Sequence, residues 1–236
     1  MDRHIFYCGG QTEAAGYCAK KLRAAGCRFS EAVDETVTHL LLDVPCKNAS
    51  CLTGFNADVI VIGGNLRDEV FEAYRTLDLL EDPEYLARNA NITAHCAVKL
   101  ALCKLDITLQ NCPVLVIGWG RIGKCLATLL RQMGADVWVA ARKKTDRAML
   151  AALDYKALDI PECTGLPIRV VFNTVPAPVI HSNDFPADCL KIELASKPGI
   201  IGSDVIDGRR LPGRLAPESS GELIAQSILR LLPGGD

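Results

Sequence analysis

Residues 114–144 read VLVIGWGRIGKCLATLLRQMGADVWVAARKK, and the fold turns on this stretch. An apolar run (113–117) leads into Gly118-x-Gly120-x-x-Gly123. An amphipathic segment follows, and a second apolar run (136–141) ends in Arg142-Lys143-Lys144. Glycines at this spacing carry little weight alone. They gain it from a preceding strand, a following helix and a second strand at the right distance, and all three are readable here. Gly118 permits the tight turn, Gly120 lets backbone approach a pyrophosphate, and Gly123 lets the helix pack closely on the strand. The helix predicted over 122–133 opens near Arg121 and aims its free N–H groups and positive dipole end at the phosphates. Its face Ile122, Leu126, Leu129, Leu130 and Met133 is predicted to bury against the sheet.

These features define a Rossmann-type dinucleotide unit with one departure. An NAD site places Asp or Glu about 20 residues beyond the first glycines, on the ribose hydroxyls. Here the second strand ends in Arg142 and Lys143. A carboxylate repels a 2′-phosphate, whereas a guanidinium binds one through paired hydrogen bonds. Cations at a helix start also oppose its dipole, which favours a functional reason for them. The reading is NADP rather than NAD.

Outward from this stretch, the chain alternates strands and helices, the pattern of parallel sheets covered on both faces. Before it lie strands at 4–8, 38–44 and 58–64, a helix at 12–25 with Ala15, Cys18, Ala19 and Leu22 on one face, and a loop at 45–56. Residues 81–91 (EDPEYLARNAN) read as a polar hinge, followed by a helix over 93–105 with Thr93 or Asn91 as N-cap. After it come a helix at 144–153, strands at 168–173 and 189–194, and a helix at 219–232 starting at Ser219 or Ser220. The expected fold is α/β: two doubly wound units, the second a Rossmann-type parallel sheet, with a cleft between them as the default ligand site. The expected boundaries are 1–90 for a small flavodoxin-like domain and 91–218 for the nucleotide domain with a hinge helix at 92–105. A C-terminal helix in 219–236 is expected to pack back toward the first domain.

Composition narrows the function classes. With 236 residues and a net charge of −2, the chain has no electrostatic footprint for nucleic acid or an anionic membrane. No apolar run approaches the ~20 residues that span a bilayer, and MDRHIFYCGG does not read as a signal peptide, so a cytoplasmic location is expected. The 11 cysteines show no C-x-x-C or zinc spacing and read as reduced structural thiols. The glycosylation patterns at Asn48 and Asn91 carry no meaning without secretion.

Two later strand ends complete the candidate site. VVFNTVPAPVI (170–180) sets Asn173, Thr174, Val175 and Pro176 at a carboxyl strand end, where open parallel sheets bind ligands. Asn173 and Thr174 are candidates for the nicotinamide ribose or carboxamide. CLKIELASKPGII (189–201) repeats the arrangement with Ala195 and Ser196. The candidate cofactor set is therefore Gly118, Gly120, Arg121, Ile122, Gly123, Arg142, Lys143, Asn173, Thr174, Val175, Pro176, Ala195 and Ser196.

The series GWGRIG, AARKK, NTVPAPVI, ELASKPG and LPGRLAPESSGELIAQ, in this order over residues 91–232, resembles the A subunit of dipicolinate synthase. Residues 1–80 resemble that family only loosely, through IFYCGGQ, and the chain is shorter than the usual member. The resemblance implies an NADP-linked oxidoreductase acting on a dihydrodipicolinate-level dicarboxylate in a sporulating mother cell. It also implies a homo- or hetero-oligomer, with a flavoprotein-like B subunit. Hydride goes to NADP⁺ and a base takes a proton. Where the family is expected to show Thr-Ala-Glu-Gly, this chain has Thr93-Ala94-His95-Cys96, so His95 must take over any task of that acid.

Candidates for the substrate chemistry are few. His95 and Lys99, spaced i, i+4, share a helix face: His95 as base, Lys99 as a carboxylate partner, or both simply solvated. Arg214, Glu218 and Ser219 are candidate substrate contacts, Arg214 as a carboxylate clamp. His4, His39 and His181 read as structural or surface residues. Two alternatives stay open: a non-catalytic NADPH-binding regulator, and a D-2-hydroxyacid-dehydrogenase-like enzyme. The second is the weaker, because Glu218 stands where that class carries its catalytic His.

Overall fold

A computed structural model describes residues 4–47 and 52–232; Asn48 and Cys51 lie outside the described residues. The chain divides into two compact units, Met1–Asn89 with Pro212–Asp236, and Ala90–Leu211. Every strand pair in both is parallel.

The first unit begins with β1 (Ile5–Cys8), α1 (Glu13–Ala24), β2 (Arg28–Phe29), β3 (His39–Leu41), β4 (Ile60–Gly63) and β5 (Arg75–Asp78). The strands form one sheet in the order β2-β1-β3-β4-β5, the flavodoxin-like winding. β2 and β5 escape the sequence reading because they are short, polar edge strands with little apolar signal. α1 buries Ala14, Ala15, Cys18, Ala19 and Leu22, a helical stripe of small and apolar residues. One sheet face carries Leu40, Val61 and Phe71 in its core.

The chain continues with α2 (Pro83–Leu102), one helix of 20 residues. The expected polar hinge at 81–91 is its first half. Asp82, not Thr93 or Asn91, caps it, accepting from Glu84 N at 3.2 Å and Tyr85 N at 3.1 Å. The segment reads as a hinge because only Tyr85 and Ala90 between 83 and 91 are buried, too few for a helical stripe to stand out. Arg230 pairs with Asp82 and reaches Glu84 at 3.2 Å.

The second unit holds β6 (Pro113–Ile117), α3 (Arg121–Gln132), β7 (Asp136–Ala140), α4 (Lys144–Ala152), β8 (Lys156–Leu158), β9 (Val170–Asn173), β10 (Ile180–His181), β11 (Leu190–Glu193), β12 (Ile200–Ile201) and β13 (Val205–Asp207). Its main sheet has the order β13-β11-β9-β6-β7-β8. Renumbered within the sheet this is 6-5-4-1-2-3, the Rossmann winding, with the strand order reversing between β6 and β9. α3 buries Gly123, Leu126, Ala127 and Leu130. Met133, expected on that face, is 38% exposed, because the helix ends at Gln132. The β9–β11 and β11–β13 crossovers carry no α-helix; β10 and β12 pair with each other instead. Ile180 and Ile200 from these small strands pack with Leu115, Ile117 and Val171.

The chain then enters α5 (Leu211–Leu215) and α6 (Pro217–Leu231). Residues 212–218, expected in the nucleotide domain, belong to the first unit. α6 starts at Pro217 with Ala216 as N-cap, not at Ser219 or Ser220, since proline fits the first helical position. It packs along α1. At Gly221 a Cβ would lie 2.5 Å from Ala14 O and 2.6 Å from Tyr17 Cβ, so the two helices approach at backbone distance.

Candidate functional site

The turn after β6 shows two of the expected glycine roles as geometry, at Gly118 and Gly123. Gly118 has φ +106°, and a Cβ there would sit 2.4 Å from Thr174 Oγ1. A Cβ on Gly123 would come within 2.1 Å of Gly118 O, so the first turn of α3 lies directly against the strand end. Gly120 differs from both: a Cβ on it meets nothing within 4 Å. Its missing side chain therefore relieves no clash inside the protein and leaves open space above the turn. Gly120 also occupies the N-cap of α3 and offers no side-chain hydrogen bond, and the first helical turn holds no acidic residue. The N–H groups at this helix end are left for another acceptor. Arg121 is exposed and Ile122 half-buried at the same end.

The corresponding turn of the first unit is closed. Asp43 accepts from Gln11 N at 3.2 Å, from Thr12 N at 3.0 Å and from Thr12 Oγ1 at 2.7 Å. Thr12 in turn caps α1 through Ala15 N. A protein carboxylate thus occupies the position that an anion takes at an open turn.

At the end of β7, Arg142, Lys143 and Lys144 are exposed, and among the described residues none has a carboxylate partner. Lys143 is the N-cap of α4 without a side-chain bond. Sequence reasoning misses Arg147, whose guanidinium donates to Ala141 O at 2.7 Å and Arg142 O at 2.8 Å and pairs with Asp159 at 3.2 Å. It fixes the backbone from which Arg142 projects.

At the reversal between β6 and β9, Thr174 Oγ1 donates to Ile117 O at 2.9 Å. Val175 is half-buried and Pro176 exposed. Asn173 corrects the sequence expectation. It is fully buried, and its side chain is engaged with Val175 N, Val175 O and Glu193, so it shapes the loop rather than facing a ligand. Ala195 is buried and Ser196 exposed in the loop after β11.

Glu193 and Lys191 also escape the sequence reading, and they are the charged residues buried in this sheet. Glu193 accepts from Asn173 Nδ2 at 2.8 Å, Ala195 N at 2.9 Å, Gly199 N at 2.7 Å and Ile200 N at 3.1 Å. Lys191 donates to Asp204 at 2.7 Å and to Pro186 O at 3.3 Å. The Lys191 ammonium and the Ser182 hydroxyl hold the Asp204 carboxyl below its ordinary range. Two charges inside an otherwise apolar parallel strand are the signal available in Lys191-Ile192-Glu193.

The remaining candidates are dispersed. His95 and Lys99 lie together on the exposed side of α2. Arg214, Glu218 and Ser219 sit on α5 and α6 in the first unit, outside the unit that holds the glycine turn. Among the described residues ten cysteines are free thiols, and burial pushes Cys163 and Cys189 up to about 12. No helix among the described residues is long and apolar enough to cross a membrane.

Winding and glycine turn together define the class: a parallel α/β protein with a Rossmann-type winding and an open glycine turn in its second unit. Within that class the chain is homologous in sequence to the A subunit of dipicolinate synthase from Bacillus subtilis (strain 168), with 25% identity over 173 residues, 67% of this chain and 58% of that protein. It thus spans 58% of the length of this curated relative. Among solved structures it superposes on the A subunit of dipicolinate synthase from Bacillus halodurans with a TM-score of 0.82, at 22% identity over 98% of each chain. A transhydrogenase from Sinorhizobium meliloti shares the fold at a TM-score of 0.75 and 17% identity, over 95% of this chain and 92% of that one. No protein-family model matches the chain.

Proposed function

We propose that the chain is an NADP-dependent oxidoreductase that works as the A subunit of dipicolinate synthase does, on a dihydrodipicolinate-level dicarboxylate. The observation that carries the cofactor assignment is the contrast between the two turns. The first is filled by Asp43; the second is uncapped, opens into space at Gly120, and is followed by a strand end whose three cations have no carboxylate partner among the described residues. In this reading the N–H groups at the start of α3, with Arg121 and Ile122 beside them, hold the pyrophosphate. Arg142 and Lys143 take the 2′-phosphate. Thr174, Val175, Pro176, Ala195 and Ser196 border the nicotinamide half, with Asn173 behind them. NADP⁺ bound there supplies a hydride acceptor.

The substrate step needs a proton acceptor and a partner for carboxylates. His95 is assigned the proton and Lys99 a carboxylate, as exposed neighbours one helical turn apart on α2. A flavoprotein-like second subunit, which the sequence resemblance implies, is part of the proposal, as is a mother-cell location. The test follows reduction of NADP⁺ with dihydrodipicolinate, with and without the candidate partner protein. NADPH formation supports the reading. A second reading, a regulator that binds NADPH without turnover, draws on His95, which makes no side-chain hydrogen bond among the described residues that would orient it as a base. Tight NADPH binding with no turnover, partner present, selects it.

A further inference from the structure

The second half of the Rossmann winding lacks the crossover helices that usually cover a sheet and satisfy its connections. In their place are two loop excursions, 174–189 and 194–204, and their backbone polar groups need partners once covered. β11 provides them through alternate residues on one sheet face. Lys191 binds both excursions, at Pro186 O and at Asp204. Glu193, 4% exposed, collects Ala195 N, Gly199 N and Ile200 N from the second, and Asn173 Nδ2 at the root of the first. Asn173 passes the constraint on through Val175, accepting from its N at 3.1 Å and donating to its O at 2.9 Å. The loops touch so closely that a Cβ on Gly199 would lie 2.3 Å from Asn173 Nδ2 and 2.6 Å from Val175 O.

Burying a carboxylate is costly, and an apolar side chain would serve packing alone at least as well. The carboxylate gives a fixed spacing between two loops, whose tips present Pro176, Ala177 and Pro178, and Ser196, Lys197 and Pro198, outward, with Val175 half-buried beside them. We infer that Glu193 is a positioning residue for the nicotinamide half of the cofactor site. It acts through Asn173 and the 195–200 backbone, while the adenosine half depends on the separate turn at Gly118–Gly123 and on Arg142. This inference rests on the cofactor reading above.

Two ligands report separately on the two halves: adenosine 2′,5′-bisphosphate, which carries the 2′-phosphate but no nicotinamide, and NADPH. Both are titrated against the full chain and against Glu193→Gln, which keeps the side-chain volume but turns an amide toward N–H donors. The expected result is a fragment affinity within about twofold of the unaltered chain and an NADPH affinity at least about tenfold weaker, with Glu193→Asp recovering part of the loss. Parallel weakening of both ligands, or no weakening of NADPH, overturns the inference. If the unaltered chain binds neither ligand, the cofactor reading itself fails, which is a distinct outcome. If Glu193→Gln does not fold, Asn173→Ser, which removes the link to Val175 and spares the backbone bonds of Glu193, is judged by the same ratio.

Discussion

Replacing Gly120 and Gly123 of the 118–123 turn by alanine, one at a time, separates a ligand site from a turn that merely needs glycine. At Gly120 the structure predicts almost no folding cost. Its φ of −82° and ψ of −168° suit any residue, and an added Cβ meets no atom within 4 Å. Alanine is a somewhat poorer N-cap than glycine, but it also reduces the entropy of the unfolded chain, and the two effects, each under about 1 kcal/mol, oppose one another. At Gly123 a Cβ would lie 2.1 Å from Gly118 O and 3.0 Å from Gly118 C, so the backbone itself must move. That overpacking costs about 1–3 kcal/mol or more, against a gain of at most about 1 kcal/mol from better helix propensity. With a pyrophosphate on the turn, the Gly120 methyl displaces one or two charge-assisted hydrogen bonds worth about 1.5–3 kcal/mol each. NADPH affinity should therefore fall by a factor of about 10–100 or more. Thermal unfolding and NADPH titration are run on both variants. Gly120→Ala should keep its Tm and lose NADPH; Gly123→Ala should lose both. A Gly120→Ala protein with unchanged stability and unchanged NADPH affinity would refute the assignment of this turn as the phosphate site.

Arg142→Asp should weaken NADPH by about 10–100-fold through loss of a charge-assisted pair while sparing or improving NADH, measured by parallel titrations. His39 is buried between Phe6 and His4, and burial, with His4 adding to it, lowers its pKa from 6.5 to about 4. The unfolded chain therefore binds a proton that the folded chain refuses between those values. Stability falls as pH drops from about 6.5 to 4, by roughly 3 kcal/mol from this group. His39→Phe should flatten that part of the stability profile in urea denaturation. Gly221→Leu should destabilise the first unit by about 1–3 kcal/mol by forcing α6 off α1, read from the same denaturation curves.

The glycine turn is legible in the sequence because its signals are local. Three glycines, an apolar strand on each side and a helical stripe all fall within residues 114–144, and backbone geometry dictates each of them. The parallel character of both sheets follows from the alternation of strand and helix at β1-α1-β2 and β6-α3-β7-α4-β8. Features that depend on distant partners are not legible. Asn173 reads as a ligand contact from its place at a strand end, and only its pairing with Glu193, far along the chain, shows that it faces inward. Lys191 and Glu193 stay hidden because an apolar run announces a strand without revealing what its two charges bind. Polar residues at the start of α2 imitate a linker because most of that half-helix is solvated, although Asp82 followed by Pro83 and Glu84 is itself a helix-start pattern. Helical spacing places His95 and Lys99 on one face but does not by itself give them a substrate.

In the proposed function the second unit holds one NADP(H) at the β6–α3 turn and selects it over NAD(H) through Arg142 and Lys143. Paired titrations of the unaltered full chain with NADPH and NADH test it most directly, with Trp119, in the turn itself, as the fluorescence reporter. Saturable binding of one NADPH per chain, at least about tenfold tighter than NADH, is the expected result. Equal affinities, or a preference for NADH, would contradict it.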